Sequence, residues 1–247
     1  MVEVVTDLDA ARGDARAFAA LAGLGLAEHQ ANAITDVVLG RGSNITAILA
    51  ARQSGKSRAL AVAAAWAAMR RPGTRVLVVS ASEEAAKRLH REIRDLLAAP
   101  AFRGSVVDET TSLVTLSNGS WVRCVSASER AIRGWTADVL IIDEAALVGD
   151  ELIMGAAFPT VAATGGRILL ASSAGAAAGF FYDTVMRGRA GSEHVDLHEW
   201  SLEQAGWISP STLAAMRESM SEIRFAAEFE NRFAGAGSLY FPPETVR

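Results

Sequence analysis

Cysteine, lysine and long apolar runs are what this sequence has least of. Cys124 is the sole cysteine among 247 residues, so an internal disulfide framework is excluded, and a reducing compartment suits the chain. Only Lys56 and Lys87 are lysine out of 24 basic residues, and the rest are arginine. No uninterrupted apolar run approaches the roughly 20 residues of a membrane span. The acidic opening MVEVVTDLDAARGD lacks the basic stretch and apolar core of a secretory signal. A soluble, intracellular protein is the expectation. With 50% hydrophobic residues and a net charge of −4, disorder is excluded as a description of the whole chain. The length suits one large or two small domains. Alanine fills 48 positions. Arginine richness therefore reads as part of an Arg/Ala compositional bias rather than as a nucleic-acid signal. The small negative charge argues against a surface coated with DNA, which would have to be met by a local patch or by several converging subunits.

Along the chain, apolar strands alternate with helices and no internal repeat occurs, the pattern of an α/β domain. Residues 8–23 are Ala-rich and helix-permissive, and Ala27–Gly40 reads as a second helix. Asn44–Ala50 is a short apolar strand that runs through Arg52–Ser57 into an Ala-rich helix over Arg58–Arg70, stopped by Pro72-Gly73. Arg75–Ser80 is a second buried strand, and Ser82 caps a helix over Glu83–Leu97. From Ser105 to Ser126 the period shortens to two, which predicts an antiparallel hairpin turning at Asn118-Gly119. Asp138–Asp143 and Arg167–Ser172 are further parallel strands, and His194–Trp200 is a fifth. Two short helices open at Ser209-Pro210 and at Ser221.

Ala50 to Ser57 fit the phosphate loop G-x-x-x-x-G-K-[ST], with Ala50 in place of the first glycine. An apolar strand precedes the loop and a helix follows it, which is the context the chemistry requires. Backbone amides at the helix start would cradle phosphates, Lys56 would reach the β and γ oxygens, and the Ser57 hydroxyl would ligate Mg²⁺. The competing reading is a chance strand–turn–helix with a glycine. A second element ends the strand over Val139–Ile142: Asp143 would hold the magnesium through water and Glu144 would polarise an attacking water. Taken alone, such a pair could equally be a solvated acidic loop. Ser172, closing the fourth strand with Ser173-Ala174-Gly175, could sense the γ-phosphate or be an ordinary small-residue turn. Arg52 could serve as a cis arginine finger from within the loop. Arg133, in a Gly-flanked segment, could project from the domain surface or be a solvated loop residue with a local ion partner.

These motifs, in this order, resemble the large terminase subunits of tailed double-stranded DNA bacteriophages, the ATPases that package DNA into proheads. The resemblance runs from His29-Gln30 to Leu239-Tyr240-Phe241. It rests on Arg52 four residues before Lys56, on Asn118-Gly119 and Arg133-Gly134 ahead of Asp143-Glu144, and on Ser172-Ser173-Ala174 followed by Gly179-Phe180-Phe181-Tyr182. The aromatic–acidic phrase Phe225-Ala226-Ala227-Glu228-Phe229 completes it.

The resemblance implies a P-loop NTPase of the ASCE type, an α/β fold with a mostly parallel central sheet flanked by helices and a small helical lid. It implies ATP and Mg²⁺ as cofactors, with Gln30, Arg52, Gln53, Ser54, Gly55, Lys56, Ser57, Arg58 and Ser172 around the nucleotide and Gln30 reading the adenine edge. Double-stranded DNA, a homo-oligomeric ring (a pentamer), a portal and a small terminase subunit are the implied partners, and the host cytoplasm the setting. The expected division is an ATPase core over 1–200, a lid over 201–235 and a linker over 236–247 towards an absent nuclease domain, so no DNA cleavage is expected of this chain. A helicase-like remodeler, or an ATP-binding assembly module without turnover, remain the alternative readings.

Overall fold

A computed structural model describes residues 8–202, 204 and 208–235. The Ala-rich start forms two helices, α1 (Leu8–Gly13) and α2 (Ala15–Leu21), rather than one. Asp14 takes an extended conformation between them, and its Oδ1 accepts the Ala17 N–H at 2.7 Å. An aspartate gains more as an N-cap than inside a helix, which explains the break. Next come α3 (Glu28–Leu39), β1 (Ile45–Ala50), α4 (Lys56–Arg70), β2 (Arg75–Ser80) and α5 (Glu83–Leu97). The Ser82 hydroxyl caps α5 through the Ala85 N–H at 3.2 Å.

The hairpin region holds three strands, β3 (Val106–Glu109), β4 (Leu113–Leu116) and β5 (Trp121–Ser126), before the short α6 (Glu129–Ile132) and β6 (Val139–Asp143). A run of short helical turns follows, with α7 (Asp150–Leu152), a π-helical stretch over Ile153–Ala157 and α8 (Pro159–Ala162). Then come β7 (Arg167–Ser172), α9 (Phe180–Arg189), β8 (Val195–Trp200), α10 (Pro210–Ser219) and α11 (Glu222–Phe229).

The strands form one eight-stranded sheet in the order β3-β4-β5-β2-β6-β7-β1-β8. The pairings from β5 to β8 are parallel, whereas β3, β4 and β5 meander antiparallel at one edge. β7 inserts between β6 and β1, the ASCE arrangement, and this sets Ser172 level with Leu49 of β1. Both faces of the parallel strands are covered, which is why they read as unbroken apolar runs. Val76 and Val78 face one core with Phe18, Trp66 and Ile93. Leu77 and Val79 face the other with Ile132, Ile153 and Phe181.

Alanine lets α4 lie close on the sheet, with every residue from Ala59 to Ala68 buried. Trp66 fills the remaining gap, and its Nε1 donates to the Ala11 carbonyl at 2.8 Å. Cys124 lies inside β5, where burial pushes its thiol up to about 12. It packs as a small apolar group rather than a nucleophile. Among the described residues no helix is long and apolar enough to cross a membrane.

Candidate active site

The phosphate loop joins β1 to α4 at the carboxyl ends of the parallel strands, where open α/β sheets collect their ligands. Gly55 adopts φ 83° and Gln53 φ 60°. This left-handed backbone at two nearby positions makes a tight turn of the kind that can present main-chain amides to an anion, although the Arg52 and Ser54 N–H groups are bonded to the Glu228 and Ala51 carbonyls. Ala50 is buried at the end of β1 and is accommodated without a left-handed conformation. Ser54 is fully buried, with its hydroxyl lacking a hydrogen-bond partner.

Lys56 opens α4 and points at the acidic pair: its Nζ lies 2.7 Å from Glu144 Oε1 and 3.9 Å from Asp143 Oδ1. The Glu144 N–H donates to Asp143 Oδ1 at 3.0 Å, with Glu144 itself at φ 53°. A glutamate held in the left-handed region directly after a buried strand is a local strain of the sort found at functional sites. Ser172 Oγ donates to Glu144 Oε2 at 3.4 Å, so β7 contributes to orienting that carboxylate. Burial raises the Asp143 carboxyl above its ordinary range, with the Glu144 charge adding to the rise and Lys56 opposing it.

A cleft of about 980 Å³ opens in front of this cluster. Arg52, Gln53, Gly55, Lys56, Ser57, Arg58, Glu144 and Ser173 line it, together with Gln30 and the turn around Leu24. Gln30 has both ends of its amide engaged: Oε1 accepts the Ala27 N–H at 3.0 Å and Nε2 donates to the Ser54 carbonyl at 2.9 Å. It thereby ties the start of α3 to the phosphate loop while facing the cleft. Asp143 and Ser57 present one carboxylate and one hydroxyl oxygen, hard donors that fit Mg²⁺ when phosphate and water complete its shell. Among the described residues no group of three or more His, Cys, Asp or Glu gathers in metal-binding fashion.

The structure does not bring Arg133 into this cluster. It ends α6, its side chain is 64% exposed, and it pairs with Glu129 at 3.3 Å. Three groups near the site escaped sequence reasoning. Arg88 and Glu92, one turn apart on α5, line the cleft. Burial raises the Glu92 carboxyl, with Arg58 and Arg88 opposing. Ser80, buried and level with Asp143 across β2–β6, has a hydroxyl without a partner. The i, i+4 spacing of Arg88 and Glu92 on a strongly amphipathic helix was the available signal.

A phosphate loop, an Asp-Glu pair one strand removed from it and the β6-β7-β1 order together define a P-loop NTPase fold of the ASCE type. The sequence model of the family described as RNA cytidine acetyltransferase NAT10/TcmA, helicase domain, matches residues 47–179, more than half of the chain. The chain belongs to that family of helicase-type domains. No curated protein sequence matches it.

In three dimensions the chain is similar to the large terminase ATPase domain of Thermus phage P74-26, with TM-score 0.73 and 20% identity over 88% of this chain and 97% of that one. It is also similar to the HK97 bacteriophage large terminase, with TM-score 0.72 and 16% identity over 85% of this chain and 51% of that one. The large terminase of a thermophilic bacteriophage, in complex with ADP, gives TM-score 0.70 and 11% identity, over 85% and 54%. The chain thus spans about half the length of those two larger terminases. The resemblance read from the motifs holds at the level of the fold.

Proposed function

We propose that this chain is a Mg²⁺-dependent ATPase whose turnover drives double-stranded DNA through a ring of subunits into a viral prohead. The observation that carries the reading is the Lys56–Glu144 pair lining the cleft, with Asp143 at the end of β6 lying 3.9 Å from Lys56 Nζ. In this reading Lys56 exchanges its carboxylate partners for the β and γ oxygens of ATP. Glu144, oriented by Ser172 and freed from Lys56, then accepts a proton from the attacking water. A Mg²⁺ ion held by Ser57 and Asp143 would neutralise charge on the phosphates. Gln53, Ser54, Gly55 and Arg58 frame the phosphates, and Gln30, anchored to Ser54, borders the base.

Arg52 acts within its own subunit, whereas Arg133 serves a neighbouring site, so hydrolysis depends on assembly. The DNA-packaging part of the proposal is supported by the fold shared with large terminases. Double-stranded DNA, a homo-oligomeric (pentameric) ring, a portal and a small terminase subunit are its partners, and the host cytoplasm its setting. The core over 1–200 and a lid over 201–235 form the motor. The linker over 236–247 lies outside the described residues, and no DNA cleavage is assigned to this chain.

The family match favours a second reading, a helicase-like remodeler. The test is phosphate release with and without double-stranded DNA, alongside unwinding of a tailed duplex. DNA-stimulated turnover without strand separation, abolished by Lys56→Ala in a folded protein, is expected. Unwinding would favour the remodeler, and parent-level turnover by Lys56→Ala would remove the phosphate-loop assignment.

A further inference from the structure

Arg52 is bound by the C-terminal helical segment through main chain and side chain at once. Its N–H donates to the Glu228 carbonyl at 2.6 Å. Its Nε lies 3.4 Å from Glu228 Oε2. Glu228 belongs to α11, far along the chain from the phosphate loop, and the residues after it are anchored firmly. Asn231, held at φ 56°, donates from Nδ2 to the Trp200 carbonyl at 3.0 Å and the Leu49 carbonyl at 3.4 Å. A non-glycine residue in the left-handed region persists only where its surroundings over-determine it, and these buried bonds do so. Arg189 adds a bond to the Asn231 carbonyl at 3.3 Å while its fork grips Glu199. The stretch from Glu228 to Asn231 is therefore fastened to the ends of β1 and β8, the strands that flank the loop.

The two partners of the ion pair differ in freedom. The Glu228 side chain is 22% exposed and rides on a clamped backbone, whereas the Arg52 side chain is 63% exposed and lines the cleft. The carboxylate is the fixed member and the guanidinium the one that can swing. A pair this exposed is weak, because solvent screens it and both side chains lose freedom in making it. Phosphate oxygens in the same cleft would outcompete one carboxylate, because a guanidinium binds them by charge and by fork geometry.

We propose that Glu228 is a positioning residue for Arg52: it holds the guanidinium at the cleft mouth and competes with the phosphates of the nucleotide for it. This rests on the ATPase reading above. It assigns to the acidic residue of the Phe225–Phe229 phrase a role that no motif reading supplied. It also makes Arg52 the point where α11 and the phosphate loop exchange charge.

The test is a double-mutant cycle on nucleotide affinity, read with ATPγS and Mg²⁺, together with steady-state KM and kcat. Glu228→Gln keeps the backbone bond and removes the competing charge. Affinity should tighten about two- to five-fold, the scale of a half-exposed ion pair. KM should fall in step while kcat does not rise. In an Arg52→Ala background the same substitution should do nothing. Glu228→Asp, which draws the carboxylate back by one methylene, should tighten affinity in the same direction but less, and covers the case in which Glu228→Gln fails to fold. Unchanged or weaker affinity in folded Glu228 variants overturns the proposal, as does an equal shift with and without Arg52. A parent protein that binds no ATPγS overturns the ATPase reading instead, and this proposal with it.

Discussion

Replacing Glu144 by glutamine separates catalysis from binding at this site. The substitution keeps the shape, the left-handed backbone and the N–H bond to Asp143, and it removes only the charge. In the structure that charge has two neighbours, Lys56 Nζ at 2.7 Å and the Ser172 hydroxyl at 3.4 Å. The Glu144 side chain is 35% exposed, so its pair with Lys56 is partly screened by solvent. Lys56 is only 12% exposed, but the glutamine oxygen can still accept from its Nζ, so the cost to the fold should be about 1 kcal/mol. An amide oxygen can still accept from Ser172, so the local geometry should survive.

Nucleotide affinity should hold or rise a few-fold, because Lys56 then has only Asp143, at 3.9 Å, competing with the phosphates. Turnover is another matter. Removing a general base costs on the order of 10²–10⁴ in rate. Binding of ATPγS by fluorescence or calorimetry, thermal melting and phosphate release under saturating ATP measure the three effects separately. The expected pattern is a melting temperature within a few degrees of the parent, equal or tighter binding, and kcat reduced at least about a hundred-fold. A loss of affinity as large as the loss of rate would refute the reasoning and make Glu144 a metal or structural ligand.

An Arg133→Ala subunit and a Glu144→Gln subunit, each inactive alone, should regain ATPase activity when mixed, since the first keeps its base and the second its guanidinium. Normal hydrolysis by assembled Arg133→Ala protein would leave Arg52 as the arginine that matters. Stability should decline on acidification from neutral pH. Burial lowers His29, His90 and His198 below their ordinary 6.5. A depressed group stabilises the fold above its unfolded value and loses that contribution as pH falls through the folded value. The melting temperature should therefore drop progressively below about pH 6.5, and a flat profile from pH 7.5 to 5.5 would contradict it. The raised Asp143 carboxyl adds a slope of the opposite sign: its proton favours the fold, and this contribution is lost as pH rises through the folded value.

The sequence by itself determined what depends on near neighbours. The phosphate loop is legible because glycine, lysine and serine must sit within one turn of a strand end. β2, β6 and β7 are legible because burial on both faces leaves no polar residue to interrupt them. Ser82 and Ser209 announce their helices because a cap acts three residues ahead.

Tertiary structure decided what depends on residues far apart in the chain. The start of α9 is capped by Asp150, whose Oδ1 accepts the Phe180 N–H at 2.8 Å from thirty residues away, so no local pattern marks it. Which face of α5 meets the cleft, and hence the place of Arg88 and Glu92, depends on how that helix settles beside α4. The pairing of Arg52 with Glu228 depends on α11 folding back across the sheet, where Asn231 wedges between the ends of β1 and β8. Local geometry is encoded in spacing. An ion pair between distant segments arises only once packing has brought both ends to the same place, and that placement is what the linear order of residues does not carry.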